Sequence, residues 1–283
     1  MNEKTPVELP ANSSVQAVSV IPEVVDTGGL AINASGVLYF ANYLHSGTIG
    51  QYNLAEVAPP TTFIDLNEWM TSPKDRSPSL RGLAVDTKGR LVGADAGTGK
   101  VIRISPNASK VEILADSYRG MLLRSVHDVA LSPDGTIYAS SPEEGVIYRI
   151  RPEEGKVDIV NRDLIWADGL AISPDGSRLV VTEPAAARLL VFLLQDDSYR
   201  GVPATTLDFS DTGDSPHGVA FDELGRLYVG MGDLGSVHVF DLAETRLLRT
   251  YDVGGSANRL FLQDGTLWVS GGRSEGLRRI RLN

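Results

Sequence analysis

One short phrase is repeated six times along the chain, and it limits the possible folds more than any other feature. In its clearest copy, residues 168–176 read Asp-Gly-Leu-Ala-Ile-Ser-Pro-Asp-Gly, and a run typical of a strand follows at 178–182. The equivalent positions in the six copies are Gly29, Gly82, Asp128, Gly169, Gly218 and Arg259. They are separated by 41 residues (128 to 169) to 53 residues (29 to 82).

Intervals of this size, each containing three or four short strands, are typical of the blades of a β-propeller. The 29 Gly and 15 Pro fit many tight turns, and no amphipathic helix is visible between the copies. The sixth copy ends after its third strand, whereas a spare strand at 15–25 precedes the first copy. We therefore predict an all-β fold, a single six-bladed β-propeller over residues 14–283 in which the N-terminal strand closes the last blade. Residues 1–13 are predicted to be a flexible arm.

The charge balance limits the possible partners. The formal net charge is −10 and the sequence pI is about 4.9, so a surface that follows nucleic acid phosphates is not expected. The absence of Cys excludes thiolate metal sites and a Cys nucleophile. The N-terminus has no basic segment followed by an apolar one, and no apolar run is long enough to span a membrane. These features predict a cytoplasmic protein that acts on a small molecule.

The residue before each repeated Gly-Leu-Ala core is polar more often than a strand position should be. These residues are Gly28, Arg81, His127, Asp168, His217 and Asn258. In a propeller the innermost strands line the central channel, so their first residues should converge at one end of the axis. With 4 His in 283 residues, six random positions would hold roughly 0.08 His. The two His in this ring therefore indicate a functional site, although polar residues at a wet channel mouth are the simpler alternative.

Two chemistries fit this ring. His127, Asp168 and His217 could bind one divalent metal ion that polarises a carbonyl or activates water. Alternatively, without a metal, Asp168 could orient His127 or His217 as a general acid–base while Arg81 stabilises an oxyanion or holds the substrate. Asn258 is a further candidate for substrate binding.

Two residues outside the ring are also candidates for substrate binding. Glu183 ends the strand after the fourth copy, where a turn residue before Pro184 is an equally good interpretation. Trp69 lies in the long connection 56–78 and could either cover the site or pack the loop down.

The repeated phrases resemble the SMP-30/gluconolactonase/LRE-like family of six-bladed propellers. The resemblance rests on residues 127–135, 168–176 and 216–222 and extends over nearly the whole chain from about residue 15. It implies hydrolysis of lactones or related esters with one divalent cation, often calcium, at the channel mouth.

The resemblance also implies four ligand positions, and this chain departs from the family at each of them. The family's Glu in blade one falls on Gly28, and its Asn in blade three falls on His127. The Asn in blade four falls on Asp168, and the Asp in blade five falls on His217. Calcium prefers oxygen ligands, so zinc, iron or manganese fits two imidazoles better, and a metal-free pocket is equally compatible.

The leading hypothesis is a hydrolase of the lactonase or esterase class with a remodelled axial site. The alternatives are a metal-independent cyclase or lyase acting on a natural-product-like substrate, by analogy with strictosidine-synthase-like propellers, and a non-catalytic propeller that binds a ligand.

Overall fold

A computed structural model describes residues 9–11, 17–21, 28–56, 58–70, 76–194, 201–232, 234–271 and 276–282. Six four-stranded antiparallel sheets follow one another around a central axis, which confirms the predicted six-bladed propeller. Helix occurs within these ranges only as short 3-10 turns, at Leu66–Glu68, Pro142–Glu144, Pro152–Glu154, Pro184–Ala186 and Ser210–Thr212. No helix in the described part of the chain is long and apolar enough to cross a membrane.

The strands follow chain order within each blade. The first strand of the chain is β1 (Val18–Ile21), and blade one contains β2 (Leu30–Ile32), β3 (Val37–Ala41), β4 (Thr48–Asn53) and β5 (Thr61–Asp65). Blade two contains β6 (Leu80–Val85), β7 (Leu91–Asp95), β8 (Lys100–Ile104) and β9 (Val111–Ala115). A small hairpin, β10 (Ser117–Tyr118) and β11 (Met121–Leu122), leads to blade three, which contains β12 (Asp128–Leu131), β13 (Ile137–Ser141), β14 (Val146–Arg151) and β15 (Lys156–Asn161).

The second half of the ring repeats this order. Blade four contains β16 (Leu170–Ile172), β17 (Arg178–Glu183), β18 (Arg188–Leu193) and β19 (Thr205–Asp208). Blade five contains β20 (Pro216–Phe221), β21 (Leu227–Met231), β22 (Ser236–Asp241) and β23 (Arg246–Asp252). Blade six contains β24 (Arg259–Gln263), β25 (Thr266–Ser270) and β26 (Leu277–Arg281), with β1 as its outermost strand.

The pairing of β1 with β26 closes the ring. The strands are antiparallel, with Val18 opposite Arg279 and Ile21 opposite Leu277. The described strand is shorter than the predicted 15–25, and residues 15, 16 and 22–25 lie outside the described residues. The predicted arm 1–13 is described only at 9–11, where Leu9 is buried in the core of blades five and six and the hydroxyl of Tyr251 donates to the carbonyl of Pro10. For the rest of the arm, flexibility stays a prediction.

The second strands of the blades are buried and mostly apolar because each blade packs against a neighbour on both faces. In β7, β13 and β21 every residue is buried. A strand that is covered on both faces consists mostly of consecutive apolar residues. The outer strands β9 and β23, by contrast, contain exposed residues. The core therefore lies between the blades, in apolar clusters that each join two neighbouring sheets.

The repeated glycine at the start of the inner strand brings neighbouring blades into contact. A Cβ added at Gly169 would lie 2.2 Å from the carbonyl oxygen of His217, and one at Gly218 would lie 2.7 Å from the Cα of Arg259. Only glycine leaves room for the next inner strand at this distance. This packing explains the repeated Gly and brings the first residues of the inner strands together at the axis.

Polar side chains of the second strands also bond to the next blade. The hydroxyl of Ser140 donates to the carbonyl of Asp168 at 2.6 Å, and that of Thr182 donates to the carbonyl of His217 at 2.8 Å. These bonds hold the backbone of Asp168 and His217 in place.

Candidate functional site

The site centres on an ion pair between Asp168 of blade four and Arg259 of blade six. Arg259 Nη2 lies 2.8 Å from Asp168 Oδ1, and Arg259 Nη1 lies 3.1 Å from Asp168 Oδ2. Both side chains are nearly buried: 11% of the Arg259 side chain and 8% of the Asp168 side chain is exposed. This bidentate geometry is the strongest form of the guanidinium–carboxylate hydrogen bond.

The environment of Asp168 keeps its carboxylate ionised. Burial opposes the charged form, but the charge of Arg259 and the hydrogen bonds from His127, His217 and Arg259 outweigh it and hold the pKa of Asp168 well below its usual range. Burial likewise acts against the Arg259 charge, yet Asp168 and Asp128 raise the pKa of the guanidinium. The pair is therefore charged across the physiological pH range.

Two imidazoles flank the carboxylate, one on each oxygen. His127 Nδ1 lies 3.4 Å from Oδ1 of Asp168, and His217 Nδ1 lies 3.4 Å from Oδ2. An ionised carboxylate can only accept, so each facing Nδ1 carries the proton when its imidazole is neutral. The Nε2 atom of each ring is then left as a proton acceptor, which is the tautomer a general base requires.

Each imidazole also contacts a serine two residues before it in the chain. His127 Nε2 lies 3.1 Å from Ser125 Oγ, and His217 Nε2 lies 3.3 Å from Ser215 Oγ. Side chains two residues apart on extended backbone point to the same side, which brings Ser215 onto the ring of His217. The site thus contains two Ser–His chains that converge on one carboxylate.

The surroundings of the two imidazoles differ. Trp166 has a positive φ of 58° and places its ring edge-on to His127, with 6.1 Å between the ring centroids. The His127 side chain is 18% exposed and that of His217 is 30% exposed. His217 is therefore the more accessible base.

A second carboxylate, Asp128, lies beside the ion pair. It accepts from the backbone N–H of Val129 and, across to blade four, from that of Leu170. Burial is the main cause that raises its pKa to about 6, with a smaller contribution from Asp168, while Arg259 opposes the shift. Asp128 therefore gains a proton in mildly acidic solution, which Asp168 does not.

The central channel extends from this cluster along the inner strands. A cavity of about 260 Å³ begins at Asp128 and Arg259. Most of the side chains that line it are apolar, and residues from the far ends of the inner strands include Leu131, Phe221 and Leu262. Asp128 and Arg259 are the charged residues of this lining, whereas Asp168 and the two imidazoles are not part of it.

The structure brings His127, Asp168 and His217 together as the sequence predicted, but it connects Arg81 and Asn258 to the cluster through their backbones. The carbonyl of Arg81 accepts from Arg259 Nε at 3.3 Å, and that of Asn258 accepts from Arg259 Nη1 at 2.9 Å. Both side chains are half-buried. That the side chains of Arg81 and Asn258 bind substrate stays a prediction.

Gly28, at the family's Glu position, is in tight contact with blade two. A Cβ at this position would lie 2.4 Å from the carbonyl oxygen of Leu80. A Glu cannot stand here unless the backbone moves.

Glu183 and Trp69 lie outside this cluster of hydrogen bonds. The Glu183 side chain is fully buried, pairs with Arg188 and accepts from the backbone N–H of Ile165. Its carboxylate thus holds the loop that leads to Asp168, and a role for Glu183 in substrate binding stays a prediction. Trp69 follows the 3-10 turn Leu66–Glu68 and is 46% exposed. A role for it in binding stays a prediction.

The donor atoms around Asp168 do not fit the predicted zinc, iron or manganese site. Both carboxylate oxygens already bond Arg259, whose positive charge repels a cation, and both Nδ1 atoms face the same carboxylate. Within the described ranges no group of three His, Asp or Glu residues is arranged to hold a metal ion. The arrangement fits proton transfer better than metal coordination.

Sequence reasoning missed Arg259, Asp128 and the two serines. Arg259 and Asp128 occupy the position that is Gly in the other four repeats, and this exception was the signal that could have identified them. Ser125 and Ser215 share the spacing Ser-x-His, which occurs in blades three and five.

Comparison with known proteins agrees with the fold. A family model for the SMP-30/gluconolactonase/LRE-like region matches residues 107–270. A gluconolactonase of Zymomonas mobilis is 26% identical over 188 residues, which cover 58% of this chain and 52% of the relative. The chain thus spans about half the length of this curated relative.

Two solved structures show the same fold. A gluconolactonase from Xanthomonas campestris superposes with a TM-score of 0.79 at 21% identity, covering 99% of this chain and 96% of the other. Virginiamycin B lyase from Staphylococcus aureus superposes with a TM-score of 0.66 at 12% identity, covering 95% and 99%. At these identities the likeness concerns the fold alone. With a family model that matches more than half of its length, the chain belongs to the SMP-30/gluconolactonase/LRE-like family.

Proposed function

We propose that this protein hydrolyses carboxylic esters or lactones by metal-independent acid–base catalysis at the channel axis. The observation that carries the proposal is the position of Asp168, whose two oxygens each face the Nδ1 of an imidazole at 3.4 Å. The gluconolactonase relative supports the reaction class, and the proton-acceptor tautomer of the two imidazoles supports the mechanism.

The reaction requires one imidazole to take a proton and give it back. Nε2 of His217 accepts the proton of an attacking O–H group as the oxygen adds to the substrate carbonyl. The imidazolium that forms is stabilised by the ionised Asp168, and it then protonates the leaving alkoxide. His127 faces the other oxygen of the Asp168 carboxylate. There it orients Asp168 and is the second candidate for the base. Arg81 is assigned to the developing oxyanion or to a substrate carboxylate.

The loops around this end of the axis favour a substrate with an apolar group. The inner strand of each blade begins at this end of the axis. Two kinds of loop therefore lie here: those that lead into an inner strand and those that join a second strand to a third. Both kinds carry exposed apolar side chains. These are Leu44, Trp69, Met121, Leu122, Ile165, Trp166 and Leu234, each at least 46% exposed. Such a rim supports alkyl or aromatic esters and lactones over heavily hydroxylated ones.

A panel of 4-nitrophenyl esters and alkyl lactones tests the proposal. We expect turnover that survives dialysis against EDTA and falls by about 10² to 10⁴ in His217→Gln. His45→Gln is the matched control, since His45 lies in an exposed loop and its imidazole faces Asp65 instead of Asp168. Unchanged turnover in His217→Gln would contradict the assignment of the base.

The same experiment separates the alternatives. A base at this site could also abstract a proton and eliminate, and virginiamycin B lyase has the same fold. Product mass decides, because hydrolysis adds one water and elimination adds none. Turnover that needs zinc, iron or manganese would favour the metal hypothesis, and tight binding without turnover would favour a binding protein.

A further inference from the structure

We infer that Ser215 is a covalent nucleophile and that hydrolysis proceeds through an acyl-enzyme on its Oγ. The inference rests on the proposed function and adds a catalytic residue to it. Its basis is the order of contacts Ser215 Oγ, His217 Nε2, His217 Nδ1 and Asp168 Oδ2, at 3.3 Å and 3.4 Å.

This order reproduces the connectivity of a Ser–His–Asp triad. In such triads the carboxylate fixes the Nδ1–H tautomer and the free Nε2 removes the serine proton, and the arrangement recurs on unrelated folds. Asp168 meets the first condition because its pKa lies well below its usual range, so it accepts and cannot donate. The distances are those of a loose resting state, which is common before substrate binds.

The imidazole of His217 is also held in place by the backbone. A Cβ added at Gly232 would lie 2.6 Å from His217 Cδ2 and 2.9 Å from Nε2. The glycine backbone therefore packs directly against the ring edge that faces Ser215. A base fixed in this way keeps its acceptor nitrogen directed at one oxygen.

The second chain of contacts, Ser125–His127–Asp168, has the same order but a more enclosed nucleophile. Ser125 is 9% exposed and adopts a positive φ of 45°, and Trp166 lies edge-on to His127. Ser215 is half-buried and its imidazole is the more exposed of the two. A substrate carbonyl reaches Ser215 more readily.

A serine two residues before the ring residue recurs in several repeats. Only a histidine at the ring position makes such a serine reactive. Ser79 and Ser256 also stand two residues before a ring residue, but those residues are Arg81 and Asn258. Among the serines that stand two residues before a ring residue, only Ser125 and Ser215 are followed there by an imidazole. Ser79 therefore offers a matched control, a serine in the same register of blade two with no imidazole at the second position after it.

Hydrolysis through Ser215 forms and then breaks one acyl–serine bond. Ser215 Oγ bonds to the carbonyl carbon, and its proton moves to His217 Nε2. The C–O bond of the ester breaks, and the departing oxygen takes that proton. Water then adds to the acyl carbon and gives a proton to Nε2, which returns it to Oγ as the acyl–serine bond breaks. In a lactone the departing hydroxyl stays attached to the acyl chain.

Labelling with diethyl 4-nitrophenyl phosphate tests the nucleophile without a known substrate. This reagent phosphorylates activated serines and releases nitrophenol. We expect one diethylphosphoryl group per chain, mapped to Ser215 by peptide mass spectrometry, at a rate at least 10²-fold lower in His217→Gln. Ser79→Ala should label like wild type, and Ser215→Ala should not label. Absence of the adduct from wild-type Ser215, or an unchanged adduct mass in Ser215→Ala, would overturn the inference.

Ester kinetics then separate this inference from the proposed function. Turnover by wild type with a nitrophenol burst, both lost in Ser215→Ala at an unchanged Tm, supports both. Turnover without a burst, retained within threefold in Ser215→Ala but lost in His217→Gln, overturns the nucleophile and leaves hydrolysis by activated water. Labelling of Ser215 without turnover of any ester or lactone supports the activated serine and overturns the proposed function.

Discussion

Arg259 and Asp168 reach the channel axis from two different blades and form a bidentate ion pair, with N–O distances of 2.8 and 3.1 Å. The guanidinium also bonds two backbone carbonyls, those of Arg81 and Asn258. One side chain thus joins blades two, four and six. It keeps the carboxylate ionised, and that carboxylate fixes both imidazoles.

Replacing Arg259 should destabilise the fold and disturb the site. Arg259→Met leaves Asp168 as an uncompensated buried carboxylate, and breaking a buried pair in this way costs about 3–5 kcal/mol of unfolding free energy. Urea denaturation measures the loss. Arg246→Met is the control, since Arg246 forms an exposed pair with Glu244 and such pairs contribute about 0–1 kcal/mol. Equal effects of the two variants would contradict a central role for Arg259.

Asp128 should make stability depend on pH in the mildly acidic range. Burial raises its folded pKa to about 6 from an ordinary value of 3.8, so the folded state holds a proton that the unfolded state releases. Its stabilising effect is full below pH 3.8 and is lost as pH rises through 6, by an amount on the order of 3 kcal/mol. The lowered pKa of Asp168 affects stability in a different pH range. The stabilisation that Asp168 contributes is lost only as the pH falls below the ordinary pKa of an Asp side chain.

Urea unfolding of Asp128→Asn between pH 4 and pH 7 measures this effect. The stability of wild type relative to the variant should increase as the pH is lowered, because the amide cannot take up a proton. Asp134→Asn, in an exposed turn of the same blade, is the matched control for loss of a surface carboxylate. A constant difference for Asp128→Asn would show that Asp128 titrates normally.

Metal removal should leave the protein unchanged. The Cβ of any residue at position 28 would lie 2.4 Å from the carbonyl oxygen of Leu80, and Arg259 occupies both oxygens of Asp168. We expect no stoichiometric metal by mass spectrometry of the purified protein and no change of Tm with EDTA, calcium or zinc, since a ligand of the folded state would raise it. One bound zinc per chain, lost on replacing Asp168, would contradict this expectation.

The repeated glycine should be sensitive to a single methyl group. Gly169→Ala places a Cβ 2.2 Å from the carbonyl oxygen of His217. The inner strands must then separate, and overpacking of this kind costs about 1–3 kcal/mol or more. Denaturant unfolding measures the loss. Gly135→Asn is the control, because that turn glycine has a φ of 88° and open space around its Cβ position. A loss no larger in Gly169→Ala would show that the inner strands are not tightly packed.

Ring closure by β1 should depend on its buried residue. Ile21 is 3% exposed and packs with Trp268 and Leu277, whereas Val18 on the same strand is 51% exposed. Ile21→Ala should lower the free energy of unfolding by about 2–5 kcal/mol, and Val18→Ala should change it little. Similar small losses in both variants would mean that β1 contributes little to closure.

The fold and part of the site follow from local sequence patterns. Six copies of one turn and strand phrase predict six blades, and the incomplete last copy with a spare first strand predicts how the ring closes. The convergence of His127, Asp168 and His217 follows from the same register, because equivalent residues of a closed ring must meet at its axis. These properties repeat along the chain, so they can be read without coordinates.

The tertiary structure alone decided which atoms meet. Arg259 was one of six repeat markers in the sequence, and only the closed ring shows that its long side chain crosses from blade six to the carboxylate of blade four. The same holds for Ser215 and Ser79, which occupy equivalent positions although only Ser215 contacts an imidazole. The spacing of the repeats in the sequence sets the positions of the backbone. Contacts across the axis depend instead on the length, direction and burial of side chains, and these are fixed only when the blades pack together.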